Sequence, residues 1–215
     1  MKKVLLLTAA IACTVITVSA QISKGSSYLG GGINYTTNNN KTTNSISQSE
    51  SKSNSLNIYP SIGFAYKENH VWGLFLSYGH NESSPTQLKG NSYGLGAFLR
   101  QYKPIGKGFY IFAQEALGGT YSSSDQWSGM LTNTKAISVN LGISPGFACD
   151  VSKKFQLEVS LNNLAYAGYS HSTTKPKDVA SDYKATTSSF NIGSSLSSIA
   201  NVGALTIGAR YLFGR

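Results

Sequence analysis

Three observations predict an all-β chain folded as an antiparallel transmembrane β-barrel of eight strands, with short periplasmic turns and longer extracellular loops. Apolar residues alternate with polar or small ones at period two through most of the chain. Every second connection between these alternating segments is short. No apolar run beyond the N-terminal region approaches the roughly 20 residues that a spanning helix needs.

The N-terminal region stands apart. Lys2 and Lys3 make a positive start, Val4 to Val18 is apolar, and Val18-Ser19-Ala20 offers small residues for cleavage. Residues 1–20 are therefore expected to be a cleaved signal peptide, and residues 21–215 the barrel domain. Cys13 reads as an ordinary residue of the apolar stretch, since Ala10-Ile11-Ala12 before it is a poor lipobox. Cys149 is then alone, which leaves no intramolecular disulfide to staple the fold.

The first segment, about Ser27 to Tyr35, is a weak strand interrupted by three glycines. The next is clear: Leu56, Ile58, Pro60, Ile62, Phe64 and Tyr66 alternate with Asn57, Tyr59, Ser61, Gly63 and Ala65. Trp72, Leu74, Leu76 and Tyr78 repeat the pattern, as do Tyr93, Leu95, Ala97 and Leu99. Phe109 to Tyr121 is a weaker strand, because keeping Ile111 and Leu117 on one face also places Glu115 there; a bulge near Gln114 would turn that carboxylate inward.

Ile137, Val139, Leu141, Ile143, Pro145, Phe147 and Cys149 alternate with Ser138, Asn140, Gly142, Ser144, Gly146 and Ala148, a period no helix produces. Phe155, Leu157, Val159 and Leu161 follow. Ser188 to Phe213 reads as one long, bulged final strand. A count of ten stays open if a loop hides a strand, whereas nine would put the C-terminus on the wrong rim.

Between the strands, Lys67 to His70, Lys103 to Lys107 and Asp150 to Lys154 are tight turns. Thr36 to Ser55, Glu82 to Gly90, Ser122 to Lys135 and Ala167 to Thr187 read as long polar loops. Tyr66, Trp72, Tyr102, Phe109, Phe147, Phe155, Tyr211 and Phe213 would fall near the short-turn rim, where an aromatic girdle belongs. Through the repeated hairpins, the N-terminal signal pattern and the Gly208-Ala209-Arg210-Tyr211-Leu212-Phe213 end, the chain resembles the outer-membrane β-barrel proteins, small barrels of the OmpA/OmpX type. The resemblance implies an exported protein of the bacterial outer membrane, with lipids around it and the barrel-assembly machinery as its partner during biogenesis.

Composition fits this reading. Charged residues are only 13% of the chain, against a usual value of about 25%. A soluble β-sandwich would also alternate, but its outer face would carry charge; here the second face is Gly, Ser, Asn and Ala, which suits a crowded polar lumen. The net charge of +9 falls to +7 without Lys2 and Lys3. The remaining lysines lie scattered in loops and turns, with no basic stripe or nucleic-acid motif, so no nucleic acid is expected.

No catalytic, cofactor-binding or metal-binding residues emerge, and an enzyme is not expected. His70, His80 and His171 lack metal-ligand spacing. The Gly30 to Gly32 run and Gly94-Leu95-Gly96 lie in strands with no following helix, which removes a phosphate-cradle reading. Arg100, Arg210 and Glu158 have inward parity, and an arginine facing lipid at mid-depth costs about 2 to 4 kcal/mol. A contact of Arg100 or Arg210 with Glu158 or Glu115 is therefore expected inside the barrel. Function then reduces to two readings: a structural or surface-interaction barrel with a filled lumen, its Asn- and Thr-rich loops offering a possible surface ligand site, or a porin-like or hydrophobic-molecule conduit lined by Tyr59, Phe75 and Phe98.

Overall fold

The computed structural model describes residues 22–43, 48–84, 87–127, 129–177, 183–194 and 205–214. The proposed signal peptide lies outside the described residues, as do residues 195–204 within the expected final strand. Ten strands form one antiparallel sheet: β1 (Ser27–Thr43), β2 (Gln48–Lys67), β3 (His70–Ser84), β4 (Leu88–Gly106), β5 (Phe109–Trp127), β6 (Leu131–Asp150), β7 (Phe155–Leu161), β8 (Ala165–Pro176), β9 (Ala185–Ser194) and β10 (Leu205–Phe213).

The sheet closes on itself through eight of them. Consecutive strands pair from β1 to β7, β10 pairs with β7, and β1 completes the ring against β10 over Ser27 to Ile33. Over the ring, closure removes the free edges that an open sheet would expose, while above it β9 pairs with β8 alone. The seventh place is shared: β6 pairs with β7 over Gly146 to Asp150 and with β8 over Thr132 to Ile143. Between β7 and β8 the chain turns at Asn163, whose φ of 50° is a left-handed conformation that Asn tolerates. Ten strand segments thus fill an eight-place barrel.

Among the described residues, much of each long polar connection is strand. β1 and β2 stay in register out to Thr43 and Gln48, β5 and β6 out to Trp127 and Leu131, and β8 pairs with β9 through the span expected to be a loop. Polar cross-strand pairs carry these ladders upward: Thr37 Oγ1 donates to Asn54 Oδ1 at 2.8 Å, the Thr134 and Thr174 hydroxyls lie 2.9 Å apart, and those of Ser170 and Ser189 lie 2.8 Å apart. Threonine suits a strand, and facing hydroxyls stabilise the pair. Low apolar content marked these segments as loops, yet the register set lower down simply continues.

The alternation sorts as read. Leu29, Ile62, Leu74, Leu95, Leu141 and Ile207 are among many large apolar side chains exposed on the outer face. Inside, near the short-turn end, Ile22, Tyr28, Val71, Phe98, Tyr102, Phe112 and Leu212 are buried together. Tyr102 therefore belongs to the filled interior rather than to the girdle. Glycine makes room for these rings: a Cβ at Gly63 would strike Tyr28, at Gly73 Phe98, and at Gly146 Phe112. Residues 22–26 tuck in beneath, where Gly25 N donates to Ala65 O and Asn69 N to Ile22 O, leaving Ile22 1% exposed.

Candidate functional site

The interior divides into a plug and a cup. At the heart of the plug, Glu158 on β7 meets two arginines from different walls of the barrel. Arg210 on β10 donates through Nε to Oε2 at 2.6 Å and through Nη2 to Oε1 at 3.0 Å. Arg100 on β4 donates through Nη1 to the same Oε2 at 2.5 Å. All three side chains are nearly fully buried.

Inward parity on three strands is what brings them together. The β4–β5 register sets Arg100 beside Gln114, whose Oε1 accepts from Arg100 Nε at 2.9 Å and also from Nη2. The β10–β7 register sets Glu158 opposite Gly208, and the bare glycine leaves the carboxylate space to reach Arg210. Aromatic faces complete the surroundings: Arg210 Cζ lies 4.2 Å from the Tyr28 ring centre and Arg100 Cζ 4.1 Å from that of Phe112. A guanidinium over a ring face is attracted by the ring quadrupole, more so when desolvated.

Glu115 is not part of this cluster. Pairing through Gln114 is unbroken on both sides, Gln114↔Arg100 and Gln114↔Ser144, so the expected bulge is absent from β5. Gln114 takes the inward place and satisfies Arg100, while Glu115 stays on the outer face between Leu99 and Ile143. Sequence reasoning missed Gln114 as a partner because it sought a charge for each arginine and a bulge for each misplaced carboxylate.

Below the ion cluster the polar set continues toward the turns. Gln156 Nε2 donates to Asp150 Oδ1 at 3.1 Å, and Tyr110 OH donates to Asp150 Oδ2 at 3.4 Å. Above it opens a cup of about 340 Å³, lined by Asn57, Tyr59, Ser77, Thr120, Asn140 and Asn162 and floored by Arg100, Glu158 and Arg210. Tyr59 and Phe75 line this cup, whereas Phe98 is 4% exposed and closes its base. The cup presents amide and hydroxyl groups above a carboxylate that two guanidinium groups already hold.

The histidines lie apart. His70 Nδ1 donates to Glu68 O at 2.7 Å at the turn rim; His80 pairs with Asn91 at 2.8 Å and His171 with the Ser188 hydroxyl at 2.9 Å on the long hairpins. Among the described residues, His, Cys, Asp and Glu do not gather into a group of three that could hold a metal ion. Cys149 is in no disulfide among the described residues.

No protein-family model matches the chain, and no curated protein does. Solved structures do resemble it. Neisserial surface protein A (NspA) is 15% identical with a TM-score of 0.43, over 88% of this chain and 98% of that one. The translocator domain of the autotransporter NalP from Neisseria meningitidis is 10% identical with a TM-score of 0.39, over 99% and 93%. A major outer membrane protein from Thermus thermophilus is 9% identical with a TM-score of 0.39, over 87% and 99%.

Proposed function

We propose that the protein is an integral outer-membrane β-barrel that does not conduct, and that its paired hairpins form a surface-interaction platform. The observation that carries this reading is the plug: the Arg100–Glu158–Arg210 cluster packed among Tyr28, Phe98, Tyr102 and Phe112, with Ile22, Val71 and Leu212 beneath. An eight-stranded barrel is just wide enough for side chains to fill.

The surrounding belt supports the membrane part of the reading. A closed ring with an apolar outer face and a polar interior satisfies its backbone groups internally, as a bilayer demands. Lipids of the outer membrane and the barrel-assembly machinery would then be its obligate partners. The filled lumen supports this role over a porin-like or hydrophobic-molecule conduit.

Two measurements test the proposal. Purified protein, reconstituted in planar bilayers, is expected to insert and remain electrically silent; steady unitary currents would return the conduit reading. Cells carrying the barrel with its β1–β2 and β8–β9 hairpins shortened above the apolar belt are expected to lose adhesion to host surfaces, and unchanged adhesion removes the platform.

A further inference from the structure

The outer wall carries a trough as well as a belt. A groove of about 650 Å³ runs along it from His70 and Lys103 at the short-turn rim to Leu161 and Leu205. Its floor follows from the pairing: Ala113 stands opposite Pro145, two short side chains in a row of otherwise large ones. One bank is the row Ile111, Phe147 and Val159. The row bearing Leu99, Glu115 and Ile143 stands on the other side of the floor.

The trough also slants. His70 begins β3 at its turn, whereas Leu205 begins β10 at the end far from the turn rim. Strands of a closed barrel tilt by about 35–45°, so a row of paired residues climbs as it passes around the wall. The groove therefore rises from the rim toward mid-depth, the path taken by an acyl chain that hangs from a headgroup at the rim.

Charge identifies the headgroup. Lys103 lies at the mouth of the groove, exposed on the outer face and in no ion pair among the described residues. The same rim carries Lys24, Lys67, Lys107, Lys153 and Lys154, and among the described residues Glu68 is its exposed carboxylate. On the opposite rim three lysines are paired, Lys41 with Glu50 at 3.5 Å, Lys89 with Glu82 at 3.6 Å and Lys177 with Asp125 at 2.8 Å, so carboxylates are interspersed with the lysines there. The short-turn rim is thus a basic collar directly beneath an apolar trough.

We infer that this trough is a binding site for one anionic phospholipid of the leaflet at the short-turn rim, its phosphate held at Lys103 and an acyl chain laid over Ala113 and Pro145. The inference rests on the membrane reading above. Each lysine near an anionic surface contributes about fivefold in affinity. Ala113 and Pro145 supply the recess; Lys103 supplies the preference.

Native mass spectrometry of the full barrel, titrated in detergent with phosphatidylglycerol or phosphatidylcholine of the same acyl chains, tests this. One phosphatidylglycerol is expected to be retained about fivefold more tightly than phosphatidylcholine. Lys103→Gln should abolish that preference, and Ala113→Leu, which fills the recess with a side chain suited to lipid, should weaken both lipids. Equal retention of the two lipids by the unmodified protein overturns the proposal without any variant, and so do unchanged profiles in both variants. Insertion into vesicles is scored separately by heat-dependent gel mobility: a protein that fails to insert overturns the membrane reading, whereas one that inserts without headgroup preference overturns only the site.

Discussion

Arg210 and Glu158 meet in a two-point pair, Nε to Oε2 at 2.6 Å and Nη2 to Oε1 at 3.0 Å, and Arg100 joins the same Oε2 from across the barrel. One carboxylate is thus the shared counter-charge of two buried guanidinium groups. The cluster fixes three strands, β4, β7 and β10, about one point, and the aromatic plug packs around it.

Removing that carboxylate strands both charges. Glu158→Ala is expected to destabilise the barrel by about 3 to 5 kcal/mol, since breaking a buried pair from one side leaves uncompensated charge. Replacing Arg100, Glu158 and Arg210 together by Met, Leu and Met is expected to cost far less. Urea unfolding of vesicle-inserted protein, followed by tryptophan fluorescence, measures both; equal costs would mean that packing, and not charge, dominates the plug.

Gly208 is where the cluster meets its tightest steric limit. A Cβ there would lie 2.7 Å from both Cγ and Oε1 of Glu158 and 2.9 Å from the Gly31 carbonyl oxygen. The side chain can bend away, but the backbone oxygen of the neighbouring strand cannot easily do so. Gly208→Val is therefore expected to cost about 1 to 3 kcal/mol through overpacking. The same unfolding assay checks it, and Gly106→Ala, where open space surrounds the Cβ position, is the control.

The hairpins carry a pH-dependent clasp. Asp125 at the end of β5 accepts from Lys177 Nζ at 2.8 Å and from Asn133 Nδ2 at 2.7 Å. The Lys177 hydrogen bond, then that of Asn133, holds its carboxyl below the usual 3.8. A depressed folded value means a contribution fully present above the unfolded value and lost as pH falls through the folded one. At an exposed site this amounts to less than about 1 kcal/mol. Hydrogen exchange of the Lys177 amide, which donates to Leu131 O at 2.9 Å, is expected to be faster in Asp125→Asn at neutral pH. The two proteins should converge below the Asp125 transition, and a difference that persists there would assign the clasp to something other than ionisation.

Much of this was legible in the chain, for a physical reason. Residues from Ile137 to Cys149 alternate because one face meets a greasy exterior and the other a narrow interior, so period alone assigns the strand and both its faces. The same parity placed Arg100, Arg210 and Glu158 inside. Period is blind to two things. It cannot see pairing where both faces are polar, which hid the upper part of β8 and the upward run of β1 and β2, whereas β9 from Ser188 onward reads as strand. It also cannot see contacts made through space: Ile22 lies before the first alternating segment, yet it fills the barrel base beside Val71 and Leu212. The turn at Asn163, which divides β7 from β8, lacked even a glycine to announce it.

Glu115 sets the last prediction, because here parity was right and the correction applied to it was wrong. The residue faces outward from the middle of β5, with Leu99 and Ile143 as cross-strand neighbours and Ala113 and Leu117 on its own strand. A carboxylate facing lipid costs less than the roughly 2 to 4 kcal/mol of an arginine or lysine at mid-depth, but it still costs. If lipid alone covers this surface, Glu115→Leu removes that penalty and extends an apolar row, and the unfolding midpoint of the vesicle-inserted protein is expected to rise by an amount worth up to about 2 kcal/mol. A fall in stability instead would mean that another molecule in the membrane satisfies the carboxylate, since nothing on the neighbouring strands is placed to replace what the substitution takes away.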